Sequence, residues 1–242
     1  MQRSIGVSPW LPAWMDITQS ATGLILALFM WVHMFLVSSI LISHEAMYRV
    51  AKLFEGYYIF GQSYPALVSG AVAAVLLLMM LHALLAMRKF PQNARQYQLF
   101  LGHKKRFRHP DTTLWWWQVV TGFLLFFLAP MHLFGMFSQP DMIGPYASAS
   151  RVYHTHWPLY LVLLFAVELH GAIGLYRITV KWWSFKGVEA DVLHRRLTRV
   201  KWGMSVFFIV LGLLTLTAYY RLGVEMQDQP GLRYSPATEV SQ

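Results

Sequence analysis

The chain has 242 residues, 56% hydrophobic and only 13% charged, against roughly 25% charged in an ordinary soluble domain; that composition excludes a soluble globular fold. The formal net charge is +9, and there is no cysteine, which excludes disulfides, thiolate-held zinc and the usual iron–sulfur clusters on this chain. A spanning helix needs about 20 mostly apolar residues, and five such windows occur, at 19–43, 65–87, 115–137, 157–180 and 202–220. The expected fold is therefore all-α: one integral membrane bundle of five transmembrane helices over 1–242, with a polar tail at 221–242.

The first window carries Gln19, Gly23 and His33, and lacks the short apolar core and small-residue cleavage site of a removed signal, so it reads as a retained span. The segment after it holds KLFEGYY, where Glu55, taken alone, reads as a solvated loop carboxylate. The second window opens on Pro65 and contains His82; Pro110 falls in the loop that follows. The third repeats the spacing of the first with Gln118, Gly122 and His132, and its interior Pro130 predicts a bend. The fourth begins at Pro158 and contains VELHGAIGLYR, with Glu168 two residues before His170. No chemistry is assigned to the tail.

Lys and Arg number seven in 88–108 and seven in 177–201, against two between the first and second windows and one between the third and fourth. The positive-inside bias makes the two basic loops cytoplasmic and the N-terminus cytoplasmic with them. The basic face is either a rim at the lipid surface or a docking surface for a protein; nucleic acid is excluded as a partner because the basic residues abut spanning helices.

Six histidines (His44, His103, His109, His154, His156, His194) fall in loops or at helix ends, where a solvated ring needs no explanation. His33, His82, His132 and His170 lie one each within the first four spans, and intramembrane ionisable groups are costly and functional by default. At about 1.5 Å per residue in alternating helices, His82 and His170 lie toward the cytoplasmic ends, and His33 and His132 toward the outer ends. Two imidazoles at one depth suit the two axial positions of a low-spin haem, so the expectation is two stacked b-type haems between the first four helices. Covalent attachment is excluded by the lack of Cys-x-x-Cys-His. Zinc or non-haem iron would want three or four ligands in one layer. The shared Gln/Gly/His spacing puts each glutamine on its histidine's face at the opposite boundary, with the glycine leaving room for a macrocycle.

QSATGLILALFMWVHMF, HALLAMRKFP, HPDTTLWWWQ and WPLYLVLLFAVELHGAIGLYR resemble the dihaem cytochrome b membrane subunit of menaquinol:fumarate reductases and succinate:menaquinone oxidoreductases, over about 14–219. The resemblance implies a multi-pass subunit of the bacterial cytoplasmic (inner) membrane. It would anchor, on the cytoplasmic side, a flavoprotein with covalent FAD and a subunit carrying iron–sulfur clusters, and it allows a dimer of such heterotrimers. It implies His82 and His170 on the inner haem iron and His33 and His132 on the outer, the pairing that depth alone suggests. It also implies propionate contacts from Gln19, Ser20, Trp115 and Lys181, a menaquinol-site base at Glu55, and proton transfer through Glu168. Electrons from menaquinol would cross both haems to a docked cluster.

Two residues turn about 200° around a helix, so Glu168 faces away from the haem of His170, into another seam. There the anion is costly and a protonated, proton-exchanging carboxyl is the reading. The competing readings are a cytochrome b subunit of a formate dehydrogenase or hydrogenase, and a haem-free proton-conducting transporter, which the paired depths argue against.

Overall fold

The computed structural model describes residues 10–90, 93–107, 110–183, 189–229 and 231–236, with the side chains of 100, 101, 103–107, 110, 111 and 190 excepted. Arg108, His109 and Lys186 lie outside this set, as do the side chains of His103, Lys104, Lys105 and Arg106.

The described residues are helical in all their regular structure. The long helices are α1 (Leu11–Val37), extended by a 3-10 turn at Ser38–Leu41, α4 (Pro65–Met87), α6 (Pro110–Ser138), α8 (Trp157–Trp182) and α9 (Ala190–Glu225). All five are long and apolar enough to cross a membrane. Shorter helices lie between them: α2 (His44–Phe54), α3 (Tyr57–Phe60), α5 (Ala94–Phe107) and α7 (Pro145–Arg151), which runs through a wide turn at Val152–His156 into α8.

Several boundaries differ from the sequence reading, each for a local reason. Pro110 is not in a loop but opens α6, where its missing N–H is harmless. The fifth span begins at Ala190, twelve residues before its apolar window, because helix continues through the polar His194–Lys201 stretch; it also runs to Glu225, beyond the expected end at 220. His194 is accordingly no solvated loop residue: its Nδ1 lies 2.8 Å from the Tyr176 hydroxyl. The helix of α6 passes through Pro130 without interruption.

Packing makes a ring. α1 packs on α4, α4 on α6, α6 on α8 and α8 back on α1, while α9 covers the outside of the α1/α8 seam. At one end, Asp16 of α1 meets Arg88 and Lys89 just past α4 and Lys181 at the end of α8; this is the basic end. At the other, Ile40, Met47, Ala149, Val152, Tyr219 and Leu222 form a buried apolar cluster uniting the 3-10 turn, α2, α7 and α9. The tail is not free of structure there: Arg233 pairs with Asp141 at 2.8 Å and the Tyr234 hydroxyl donates to Glu45 at 3.1 Å.

Candidate functional site: two imidazole pairs in one cavity

Inside the ring is a cavity of about 1500 Å³, above the roughly 300–1,000 Å³ of a single small-molecule site. Gln19, Ser20, His33, Glu55, His82, Trp115, His132, His170 and Lys181 all line it. Glu168 is the exception among the residues singled out from the sequence: it is fully buried elsewhere.

The structure brings His82 of α4 against His170 of α8, ring centres 6.4 Å apart, and His33 of α1 against His132 of α6, 6.2 Å apart. Two imidazoles sharing a metal through one nitrogen each, at roughly 2.0–2.1 Å, hold their ring centres about 6 Å apart. Both pairs meet that requirement. Among the described residues no three of His, Cys, Asp and Glu converge as a metal site, so each layer offers two protein ligands.

Hydrogen bonding fixes the tautomer of the pair nearer the basic end. His82 Nδ1 lies 3.2 Å from the Gln19 carbonyl and 3.1 Å from Thr22 Oγ1. His170 Nδ1 lies 3.0 Å from the Gln118 carbonyl and 3.3 Å from Thr121 Oγ1. Each threonine hydroxyl already donates to a carbonyl one turn back, Thr22 to Thr18 at 2.8 Å and Thr121 to Trp117 at 2.7 Å. Both neighbours of each Nδ1 are therefore acceptors, so Nδ1 carries the hydrogen and Nε2 keeps its lone pair for a metal. The spacing shared by α1 and α6 thus has a fuller meaning than the sequence suggested. A Cβ on Gly23 would stand 2.8 Å from His82 Cε1, and one on Gly122 2.8 Å from His170 Cε1. What these two glycines admit is the neighbouring helix's imidazole. Thr22 and Thr121 were missed at the sequence level, although the same threonine stands in QSATG and QVVTG.

The other pair is held by packing. His33 stacks on Phe29 at 5.7 Å, and His132 meets Tyr160 edge-on at 5.3 Å. His132 Nδ1 is buried with no hydrogen-bond partner among the described residues.

The basic end is over-supplied with positive charge. Asp16 is a carboxylate there, facing Arg88, Lys89 and Lys181, with Arg177 beside them on Gln118. Burial, then the charges of Lys181, Arg88 and Arg177, push the Lys89 ammonium down to about 8, a strain that further anions would relieve. Ser20 accepts from Trp182 Nε1 at 2.9 Å, and the Gln19 side-chain oxygen is buried with no hydrogen-bond partner among the described residues. Gln19, Ser20, Trp115 and Lys181 lie at this end of the cavity wall, so the donor set fits a group with an apolar body, two axial positions and carboxylates at one edge.

Glu55 corrects the reading of a solvated carboxylate: it is only 3% exposed. It caps the C-terminus of α2, and Gly56 turns the chain there with φ +78, the left-handed conformation that favours glycine after a helix. The Tyr64 amide returns to the Glu55 carbonyl at 2.8 Å, and the turn aims the side chain at the cavity. Glu168 faces the α1/α8/α9 seam, where Trp31 Nε1 donates to its Oε2 at 3.3 Å. Its Oε1 and the buried Ser205 hydroxyl of α9 lack hydrogen-bond partners among the described residues.

Residues 91–211 match the family model of the succinate dehydrogenase/fumarate reductase transmembrane subunit. The chain is 56% identical over 215 residues to the fumarate reductase cytochrome b subunits of two Helicobacter pylori strains, covering 88% of this chain and 83% of theirs. It is 52% identical over 225 residues to that of Wolinella succinogenes, covering 93% and 88%. Five apolar helices, four of them around two imidazole pairs, with identity of this extent, have one conclusion: the chain belongs to the succinate dehydrogenase/fumarate reductase transmembrane subunit family.

Proposed function

We propose that this chain holds two haems b and links menaquinol to a fumarate reductase assembled on its cytoplasmic face. The observation that carries the reading is the double pairing of imidazoles at 6.2 and 6.4 Å within one cavity. His82 and His170 would hold one iron and His33 and His132 the other, with Gln19, Ser20, Trp115 and Lys181 receiving propionates of the first. Haems held there would supply one-electron redox chemistry.

The remaining work falls to the chain itself. The ring of α1, α4, α6 and α8 gives the cavity a largely apolar wall. Glu55, on its wall at the end remote from the basic cluster, accepts a proton from menaquinol. Glu168 exchanges protons in the α1/α8/α9 seam. The positive-inside bias places the basic end in the cytoplasm, where its loops meet the iron–sulfur subunit, and through it the FAD flavoprotein.

The test is haem quantification and a reduced-minus-oxidised spectrum of the purified complex. Two haems b per chain are expected. His82→Ala or His170→Ala should lose one spectral component, and His33→Ala or His132→Ala the other. A series in which His33 and His82 govern the same haem would overturn the pairing.

A further inference from the structure

A carboxylate with almost no solvent contact, on the wall of a largely apolar cavity, is costly unless something compensates it. For Glu55 that partner is Lys52, one turn earlier on α2, whose Nζ donates to Glu55 Oε2 at 2.7 Å and to Ser63 Oγ at 3.1 Å. The two side chains differ in exposure, 24% for Lys52 and 5% for Glu55. The pair therefore has a dry end at the cavity and a wet end at the surface, where the ammonium also lies 5.5 Å from the Tyr48 ring centre.

The other charges around α2 are engaged elsewhere. Glu45 pairs with Arg49 at 2.8 Å, and Arg151 of α7, which shares the cavity wall, donates to the Met142 carbonyl at 2.9 Å. Across the cavity the titratable groups at this depth among the described residues are His33 and His132, on α1 and α6, with Tyr160 of α8 and Tyr219 of α9 on the same wall; α4 brings no charged residue to this end. Tyr64, in the turn before α4, is met by Gln62.

Resting on the role proposed for Glu55, we infer that Lys52 is the positioning residue of the quinol site, holding Glu55 ionised and aimed, and setting the side on which the accepted proton leaves. The step is a proton transfer: a quinol O–H bond breaks and an O–H bond forms on Glu55. Neutralising the carboxylate removes its attraction to the ammonium. The proton then passes from Glu55 to water at the exposed side of Lys52, which keeps its own three protons throughout, and the ion pair re-forms.

The experiment uses the assembled complex carrying Lys52→Met or Lys52→Arg. Lys52→Met should lower the kcat of menaquinol-driven fumarate reduction tenfold or more, up to the roughly 10²–10⁴-fold a positioned base contributes. Haem b content and fumarate reduction driven by a reduced viologen dye should be unchanged, and Lys52→Arg should recover most of the loss. Infrared spectra should show a protonated-carboxyl band in Lys52→Met that disappears in the double variant with Glu55→Gln, a signature that simple loosening of α2 would not produce. Full menaquinol turnover in Lys52→Met, or lost turnover without that band, would overturn the inference. Glu55→Gln with full turnover would instead sink the role of Glu55 itself, whereas an inactive Glu55→Gln beside an active Lys52→Met would sink only that of Lys52.

Discussion

Gly23 and Gly122 show how one missing methyl group can decide whether a ligand is presented. Each faces an imidazole Cε1 at a distance no real Cβ tolerates, and the ring cannot retreat without leaving the carbonyl and threonine that fix its tautomer. Gly23→Ala and Gly122→Ala should therefore reduce occupancy of the haem proposed between His82 and His170, on the scale of about 10–100-fold weaker binding known for disturbed outer-shell partners, while sparing the haem proposed between His33 and His132. Haem content per chain, resolved by potentiometric titration, checks this; a normal complement in both variants would mean the rings shift without cost. The histidines were legible in the sequence because four ionisable rings in apolar helices are conspicuous. The threonines were not, because a hydroxyl in a helix ordinarily bonds its own backbone, as these also do.

α2 is the element whose importance was least visible beforehand. Its 11 residues are too few and too polar to register as a span, and KLFEGYY reads as loop because nothing local says that the chain end of α2 will be folded under the bundle. What buries Glu55 is tertiary: the cluster of Ile40, Met47 and Ala149 pins the helix, and Gly56 reverses the chain. A side chain at Gly56 would add left-handed strain of about 1–2 kcal/mol, and its Cβ would stand 2.8 Å from Leu67 and Phe60. Gly56→Ala should consequently impair menaquinol oxidation severalfold through a raised KM, with haem content and dye-driven fumarate reduction unchanged. Steady-state kinetics with a menaquinol analogue separate the two; loss of haem would show that α2 supports the whole bundle and not the site alone. The five long helices, by contrast, were legible to within a few residues wherever apolar windows and boundary prolines marked them. They failed to be so at the starts of α1 and α9, where helix extends well ahead of the apolar window.

For the molecule as a whole, the separation of Glu55 from the basic end means that the proposed reaction moves charge along the bundle. With quinol oxidised outside and fumarate reduced inside, each electron crossing inward works against roughly 2.3 kcal/mol per 100 mV, unless a proton crosses with it. Under the proposed function Glu168 would serve this: among the described residues it is a buried acidic group within a span, outside the cavity and close to the Ser205 hydroxyl of α9. Glu168→Gln should slow menaquinol-coupled fumarate reduction at least tenfold and leave haem content and dye-driven reduction intact; the measurement belongs in sealed proteoliposomes. Unchanged coupled turnover would make Glu168 a packing residue held by Trp31.

The ring itself bears on how such a protein is made. Four helices around about 1500 Å³ of space do not pack against one another through the middle. The four helices therefore bury little of their own surface against one another there, and whatever fills the space contributes to holding the bundle closed. Insertion of the proposed haems would then be no late decoration of a finished scaffold. If the newly synthesised chain closes its bundle around them, the supply of haem during biogenesis would govern how much of this subunit survives quality control in the membrane.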